Sequence, residues 1–452
     1  MADTLGRPAR RARRHTWLAA AVLASAVLAL AACGSAAGGG KQSAKGGSGG
    51  TSVTMWLVTT GPSPANTAVQ SLATSFEKSH PKDHITIDFV ENQSYKQKIQ
   101  LAMGAGNPPT IFWTWGGGIL QQYIKAGDVY GLGHPSWLSS FLPSSLGAVT
   151  YNGQVYGVPV EGTQPVYFFY NKSIFAKYHL TFPTTFSGLL STVAKLKSHG
   201  VAPISLANGD QWPGLMYLEY LTDRVGGPAV ARALESNTAS GWSNPAVTTA
   251  LEDIQQLVKA GAFQSGYDSL HYSGGGSDAL VYSGKAAMQL MGDWDISSIL
   301  GSDKSFVNGG QLGMAPFPVV AGGHGNPADL AGNTASYVGI ASHATPAQKA
   351  VAVAFFKDEL TSASYAKAEV AAGEVPVTQG ASSLFTGQPL AAYDTTIYNS
   401  VTNAPSFQYS WDQAMTPQVA TTMLTNLAQV FELSQTPQKF ESLLNKQAKS
   451  GS

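Results

Sequence analysis

Two short stretches hold the residue types best suited to chemistry. In Ile111-Phe-Trp-Thr-Trp-Gly-Gly-Gly118, two tryptophans stand two apart and three glycines follow at once. Side chains two apart on an extended strand share one face, so Trp113 and Trp115 offer two rings on one side. The glycines leave room for a ligand, or for the next helix, to come close to the backbone. Two flat apolar rings suit a ligand with a flat apolar face. A sugar ring has one, because its axial C–H groups are apolar and stack on indole. In Met291-Gly-Asp-Trp-Asp295, a tryptophan stands between two carboxylates. A carboxylate pair can hydrolyse a glycosidic bond only if the two face each other across it, roughly 5–10 Å apart. A D-W-D pair can point both groups one way, and neither Asp293 nor Asp295 has an evident proton-donor setting. The nine His are scattered, with no HExxH, Cys/His cluster or acidic calcium loop; no metal or other cofactor is expected. A Walker A pattern is also missing, so any ATPase must be a separate chain.

The elements that hold these residues follow from hydrophobic period. Val53, Met55 and Leu57 alternate with polar residues, a strand pattern; Val69, Leu72, Ala73 and Phe76 then recur at helical spacing. Residues 84–90 read as a strand with Ile85, Ile87 and Phe89 on one face. Ser94 with Gln97 forms a capping box for a helix ending near Gly104. Residues 109–115 form a third strand, and 119–127 a helix stopped by Gly127. This β-α-β-α-β-α order predicts an open, mostly parallel sheet with helices on both faces. The style repeats with a strand over 166–172, a helix carrying Phe186, Leu190, Val193 and Leu196 and ending at Gly200, and a strand in "APISLA". Thr345-Pro-Ala-Gln348 is a capping box with Pro at the first helical position. The last hundred residues read as mainly helical. In parallel sheets ligands bind at the carboxyl ends of strands, and "IFWTWGGG" is such an end.

At 452 residues the chain is too long for one ordinary core and predicts two lobes. Charged residues are only 12%, and 27 Lys and Arg balance 27 Asp and Glu. That composition lacks the basic face nucleic-acid binding needs. The N-terminus reads "RPARRARRHTWLAAAVLASAVLALAAC": five Arg precede an apolar run from Trp17 to Ala32 that ends in small residues. This is a secretory signal over residues 1–32, too short for a comfortable transmembrane helix. Leu30-Ala-Ala-Cys33 resembles a bacterial lipobox, in which the thiol of Cys33, the one cysteine of the chain, is lipidated and becomes the mature N-terminus. The bland alternative is an ordinary signal peptide with an incidental cysteine. The paired arginines leave twin-arginine export open. Residues 33–50 are Gly/Ser-rich, a flexible tether reaching on the order of 20–25 Å. The leader holds five of the basic residues and one acid, so the body is mildly acidic.

Several stretches, in order, resemble the extracellular sugar-binding proteins of bacterial ABC importers, the maltose-binding-protein-like family. They are "YKQKIQLAMGAGNPPTIFWTWGGG", "YNGQVYGVPVEGTQPVYFFYNKSIFAKYHL", "VAPISLANGDQWP", "AAMQLMGDWDISSI" and "AAGEVPV". The resemblance covers essentially residues 51–448, and the whole is similar to an actinobacterial oligosaccharide-binding lipoprotein. Two positions depart from the family pattern: Thr110 stands where Asp usually follows the Pro pair, and "PTTFSGLL" lacks the usual Trp and Glu. Both look structural.

The resemblance implies a two-lobe α/β periplasmic-binding-protein-like fold, each lobe a mostly parallel sheet flanked by helices, with the sugar in the cleft. Residues 51–160 and 334–395 would form the N-lobe, and 161–333 and 396–452 the C-lobe. It implies a lipid-anchored receptor on the outer face of the membrane, monomeric, with membrane permease subunits as partners and no enzymatic activity. It nominates Trp115 for stacking, with Trp113 either beside it or in the core. Glu161 either accepts sugar hydroxyls or forms a hinge salt bridge. Asp210 and Trp212 follow the "APISLA" strand, Trp212 either contacting sugar or packing as a lid. Trp294 is nominated as a platform, with Asp293 or Asp295 bonding hydroxyls, and Trp411 as an aromatic on the returning chain. Asn92, Tyr337 and Glu374 are weaker nominees. "FWTWGGG" and "MGDWD" look most like binders of short xylo- or cello-oligosaccharides. The alternatives are a receptor for a non-sugar solute and a secreted glycoside hydrolase.

Overall fold

A computed structural model describes residues 50–236 and 241–450. The leader, Cys33 and most of the tether lie outside the described residues. Among the described residues thirteen strands form in chain order: β1 (Ser52–Thr59), β2 (His84–Glu91), β3 (Ile111–Thr114), β4 (Thr150–Tyr151), β5 (Gln154–Val155), β6 (Val158–Glu161), β7 (Gln164–Asn171), β8 (Ala202–Ser205), β9 (Ala286–Gly292), β10 (Leu312–Ala315), β11 (Leu330–Asn333), β12 (Ser336–Ile340) and β13 (Phe407–Tyr409). They build two large sheets, one per lobe. The first runs β2-β1-β3-β12-β6; the second runs β13-β11-β7-β9-β8, with β10 also paired to β7. A small β4-β5 hairpin stands apart.

The expected alternation over the first third is observed. β1 buries Val53, Met55 and Leu57 completely. The helix Pro64–Ser79 starts at Ser63, whose side chain caps Asn66 N, and buries Val69, Leu72, Ala73 and Phe76. β1 pairs in parallel with β2 and β3. β2 is an edge strand, so only Ile85 is buried while Ile87 and Phe89 are half-covered. The capping box at Ser94 is not formed. The helix starts earlier, at Asn92, because the Glu91 carboxylate accepts from the backbone N–H of both Gln93 and Ser94. The second expected box is complete, with Thr345 and Gln348 each satisfying the other's backbone. The helix Phe186–Ser198 buries Leu189 where Leu190 was expected.

The sheets are mixed rather than mostly parallel. β12 runs antiparallel to β3 and β6, and β7 antiparallel to β9, β10 and β11. The cause is the chain's path. β6 ends the first sheet and β7 enters the second a short step later, while β11 and β12 make the return. Strands that cross between lobes meet their neighbours head to tail. A third crossing follows the helix Ala363–Ala372. Its Tyr365 packs in the first core, whereas Val370, Val375, Phe385 and Leu390 pack in the second. Val377 packs back in the first core, so this stretch contributes side chains to both. The crossings are tied together: Thr163 N donates to Val375 O at 3.0 Å.

Candidate functional site

Between the two sheets lies a cleft lined by residues of both. Four tryptophans line it. Trp113 and Trp115 come from the end of β3, Trp212 from the start of the helix Trp212–Gly226, and Trp294 from the turn after β9. Each pair is locked by ring contacts. Trp115 stands edge-on to Trp113 with centroids 6.3 Å apart and edge-on to Tyr95 at 6.1 Å. Trp212 lies 6.0 Å from Trp294 and edge-on to Tyr272 at 5.5 Å. Offset and edge-on ring contacts are the favoured geometries, so the platforms are held before any ligand arrives. The backbone beneath is fixed as well: the Tyr95 hydroxyl donates to Trp113 O at 2.7 Å.

Polar groups come from the crossings. Gln164, at the start of β7, donates to the Glu161 carboxylate at 3.3 Å and accepts from Ser336 Oγ at 3.1 Å and Asn333 Nδ2 at 3.4 Å. All four residues line the cleft, as do Asn92, Lys96, Glu374, Asp412 and Gln413. Six lining residues carry a buried polar atom without a hydrogen-bond partner: Asn92 Oδ1, Trp113 Nε1, Trp212 Nε1, Asn333 Oδ1, Glu374 Oε2 and Gln413 Oε1. Buried polar groups are almost always paired. Two donors and four acceptor atoms on the lining residues are therefore left without a protein partner.

The charge pattern is that of a neutral site. Glu161 and Glu374 in the lining stand beside Glu369, Asp293 and Asp394 behind it, and among the described residues none of the five is in an ion pair. Burial, then the neighbouring Glu374, pushes the Glu161 carboxyl well up. Burial, then Asp394, raises Glu374 to about 7. Burial alone raises Asp394 to about 7. A carboxyl kept protonated by desolvation donates as well as accepts. Lys96 is the cation in the lining; it lies 3.9 Å from Asp412 and 5.4 Å from the Trp115 ring centre.

Of the expected site residues, the cleft brings together Trp113, Trp115, Glu161, Trp212, Trp294, Asn92 and Glu374. Glu161 has Gln164 as its partner, not a salt-bridging cation. Five do not line it. Asp210 braces a distant loop, accepting from His271 Nδ1 at 2.6 Å and Tyr272 N at 2.8 Å. Asp293 is buried behind the cleft with both oxygens unpartnered. Asp295 opens the helix Asp295–Ser302 and accepts from Tyr272 Oη at 3.1 Å and from Gln289. Trp411 is wholly buried, edge-on to Trp242 at 5.9 Å. Tyr337 is buried with its hydroxyl donating to Ser145 O at 2.7 Å. Four of these five spend their polar or aromatic capacity on the protein, and Asp293 is simply enclosed. The three glycines likewise face protein: a Cβ on Gly116 would lie 2.6 Å from Ala148 O. Sequence reading missed Gln164, Asn333, Ser336, Lys96, Asp412 and Gln413. Gln164 and Asn333 are 169 positions apart, and nothing local marks either. Lys96 and Gln413 were legible only as ordinary polar residues.

Residues 61–367 match the model of the bacterial extracellular solute-binding protein family. An ABC transporter extracellular-binding protein of Pyrococcus horikoshii is 30% identical over 236 residues, covering 50% of this chain and 52% of that one. A glucose-binding protein of Saccharolobus solfataricus is 26% identical, over 44% of this chain and 38% of its own length. The chain spans about half the length of the first of these curated relatives and less of the second. Solved structures match further. One, described in work on xylan utilization by Caldanaerobius polysaccharolyticus, is 30% identical with a TM-score of 0.79, covering 88% of this chain and 99% of that one. A chitin oligosaccharide binding protein is 25% identical with a TM-score of 0.78, covering 89% and 98%. The chain belongs to the bacterial extracellular solute-binding protein family, a family of receptors and not of enzymes.

Proposed function

We propose that this chain is the receptor of an ABC importer for a short neutral oligosaccharide, with xylo- and cello-oligosaccharides as the first candidates. The observation that carries the reading is the cleft itself. Four tryptophans line it, and among them stand open neutral donors and acceptors, while its one lining cation, Lys96, is paired with Asp412. Stacked rings provide apolar contact with the sugar faces, and the open polar atoms bond its hydroxyls. The relative from xylan utilization and the chitin-oligosaccharide binder support a β-linked ligand. In this reading Trp115 and Trp294 are the platforms and Trp113 and Trp212 their flanks. Glu161, Asn92 and Glu374 bond hydroxyls together with Gln164, Asn333 and Gln413. The lobes meet at the three crossings, near 161–164, 333–336 and 370–377, and hinge closure delivers the occupied form to a permease. Cys33 carries the lipid anchor, and the protein works as a monomer outside the cell membrane.

The test is intrinsic tryptophan fluorescence of the full-length protein in detergent against xylo-, cello-, malto- and raffinose-type sugars and N-acetylglucosamine dimers. A saturable change, lost in Trp294→Ala or Trp115→Ala, supports the reading and names the sugar. A response to peptides or other solutes, with none to any sugar, removes the carbohydrate assignment.

A further inference from the structure

Gly118 is a costly residue in its place. Gly117 and Gly118 open the helix Gly117–Ala126, only 10 residues long, and Gly116 before them gives no side-chain cap. Gly117 is left-handed at φ 59°, where glycine is favoured, but glycine in a helix is less favourable than alanine by about 1 kcal/mol, so local propensity is given up at Gly118. Such a conflict points to a demand from outside the helix.

The demand comes from the other lobe. The helix follows β3 and buries Leu120 in the first core. The segment 411–415 follows β13 and buries Trp411 and Met415 in the second core. The two meet backbone to backbone. A Cβ on Gly117 would lie 2.3 Å from Gln413 O. One on Gly118 would lie 2.2 Å from Met415 O and 2.9 Å from Ala414 O. Real Cβ contacts of that length do not occur, and the atoms met are main-chain oxygens that cannot swing aside. The seam joins the same short pieces that reach the cleft: Trp115 lies just before Gly117 in the chain, and Asp412 and Gln413 lie within the opposing segment. Lys96 and Asp412 face each other beside it at 3.9 Å. On another part of the rim the lobes touch differently, through hydrogen bonds from Gly274 N to Thr60 O at 2.8 Å and from Ser273 Oγ to Glu91 at 2.7 Å.

We propose that Gly117 and Gly118 are a closure seat: the lobes reach the geometry that puts Trp115 opposite Asp412 and Gln413 because no side chain stands between their backbones. They are positioning residues for binding and touch no ligand. The ligand class used in the test rests on the oligosaccharide reading above.

Gly118→Ala is the clean test. Gly118 is outside the left-handed region that Gly117 occupies at φ 59°, so alanine is unstrained there and favours the helix; the Cβ collides only with the other lobe. Gly104→Ala is the control, because nothing lies within 4 Å of the added carbon. Two readouts are taken on the full-length protein in detergent. Hydrogen exchange of the ligand-free protein over 116–120 and 411–416 reports the seam. Calorimetric titration with xylobiose, cellobiose and maltose reports binding. For Gly118→Ala we expect exchange in both segments at least about tenfold faster and affinity at least about tenfold weaker. Gly104→Ala should match the wild type in exchange and affinity, and neither variant should lower the urea midpoint. If Gly118→Ala lowers that midpoint, exchange in the two seam segments is compared with exchange in the helix Pro64–Ser79, and faster exchange spread over both overturns the seat, whereas faster exchange confined to the seam supports it. Unchanged exchange overturns the seat, whatever the wild type binds. Faster exchange with unchanged affinity overturns its role in binding. Faster exchange in a protein whose wild type binds none of these sugars supports the seat and sinks the oligosaccharide assignment alone.

Discussion

The carboxyl of Glu374 makes stability depend on pH in an unusual direction. The usual buried carboxylate is stabilised by a partner and loses stability in acid. Glu374 is buried, its Oε2 has no partner, and burial with Asp394 nearby raises it from 4.5 to about 7. Below pH 4.5 the proton is held in both the folded and the unfolded chain. Between 4.5 and about 7 the unfolded chain releases it while the folded chain keeps it. Folding then takes up a proton, and stability falls as pH rises. Above about 7 both states have released it and the loss is complete. Each tenfold rise in proton affinity on folding is worth roughly 1.4 kcal/mol, so this group accounts for a fall of about 3 kcal/mol across the window. Glu374→Gln keeps the shape and cannot titrate. Urea unfolding followed by tryptophan fluorescence in a series from about pH 4.5 to about pH 8 should show the variant gaining on the wild type by about 3 kcal/mol between the ends. Parallel curves for the two proteins would refute the reasoning, because they would mean that Glu374 ionises in the folded chain as it does in water.

Other expectations follow from named contacts. Trp294→Ala or Trp115→Ala should weaken sugar binding by about 2 kcal/mol, roughly thirtyfold, measured by titration calorimetry, with little loss of stability. Trp411→Ala should do the opposite. The residue is wholly buried against Trp242, so its loss should cost about 3–5 kcal/mol in urea unfolding while the cleft keeps all four of its rings. Ser273→Ala removes the hydrogen bond to Glu91 between the lobes and should lower affinity several-fold, about 1 kcal/mol, without shifting the urea midpoint. Thr345→Ala breaks both halves of a capping box and should cost about 1 kcal/mol of stability with binding unchanged.

Several features were already readable in the amino-acid order. The period-2 run of Val53, Met55 and Leu57, the helical stripe ending in Phe76 and the box at Thr345 depend on neighbours a few positions away, and all formed as expected. Tryptophans at strand ends or helix starts were legible for the same reason, and four of the five nominated reach the cleft. Trp411 could not be told apart from them. Its burial is decided by Trp242, itself packed on Phe440, reaching it from distant elements. The carboxylates divide in the same way. Asp210, Asp293 and Asp295 look locally like sugar ligands, yet His271, Tyr272 and Gln289 claim two of them, and Asp293 is enclosed behind the cleft. The glycines after Trp115 signalled a close approach, but not of what. Amino-acid order alone was enough for two α/β lobes and for tryptophans at the cleft, because hydrophobic period and the ends of strands and helices are properties of short segments. Strand direction within each sheet, the polar groups left open to a ligand and the backbones that meet between the lobes were settled by the folded chain. All three depend on crossings that join residues more than a hundred positions apart, as Gln164 and Asn333 are.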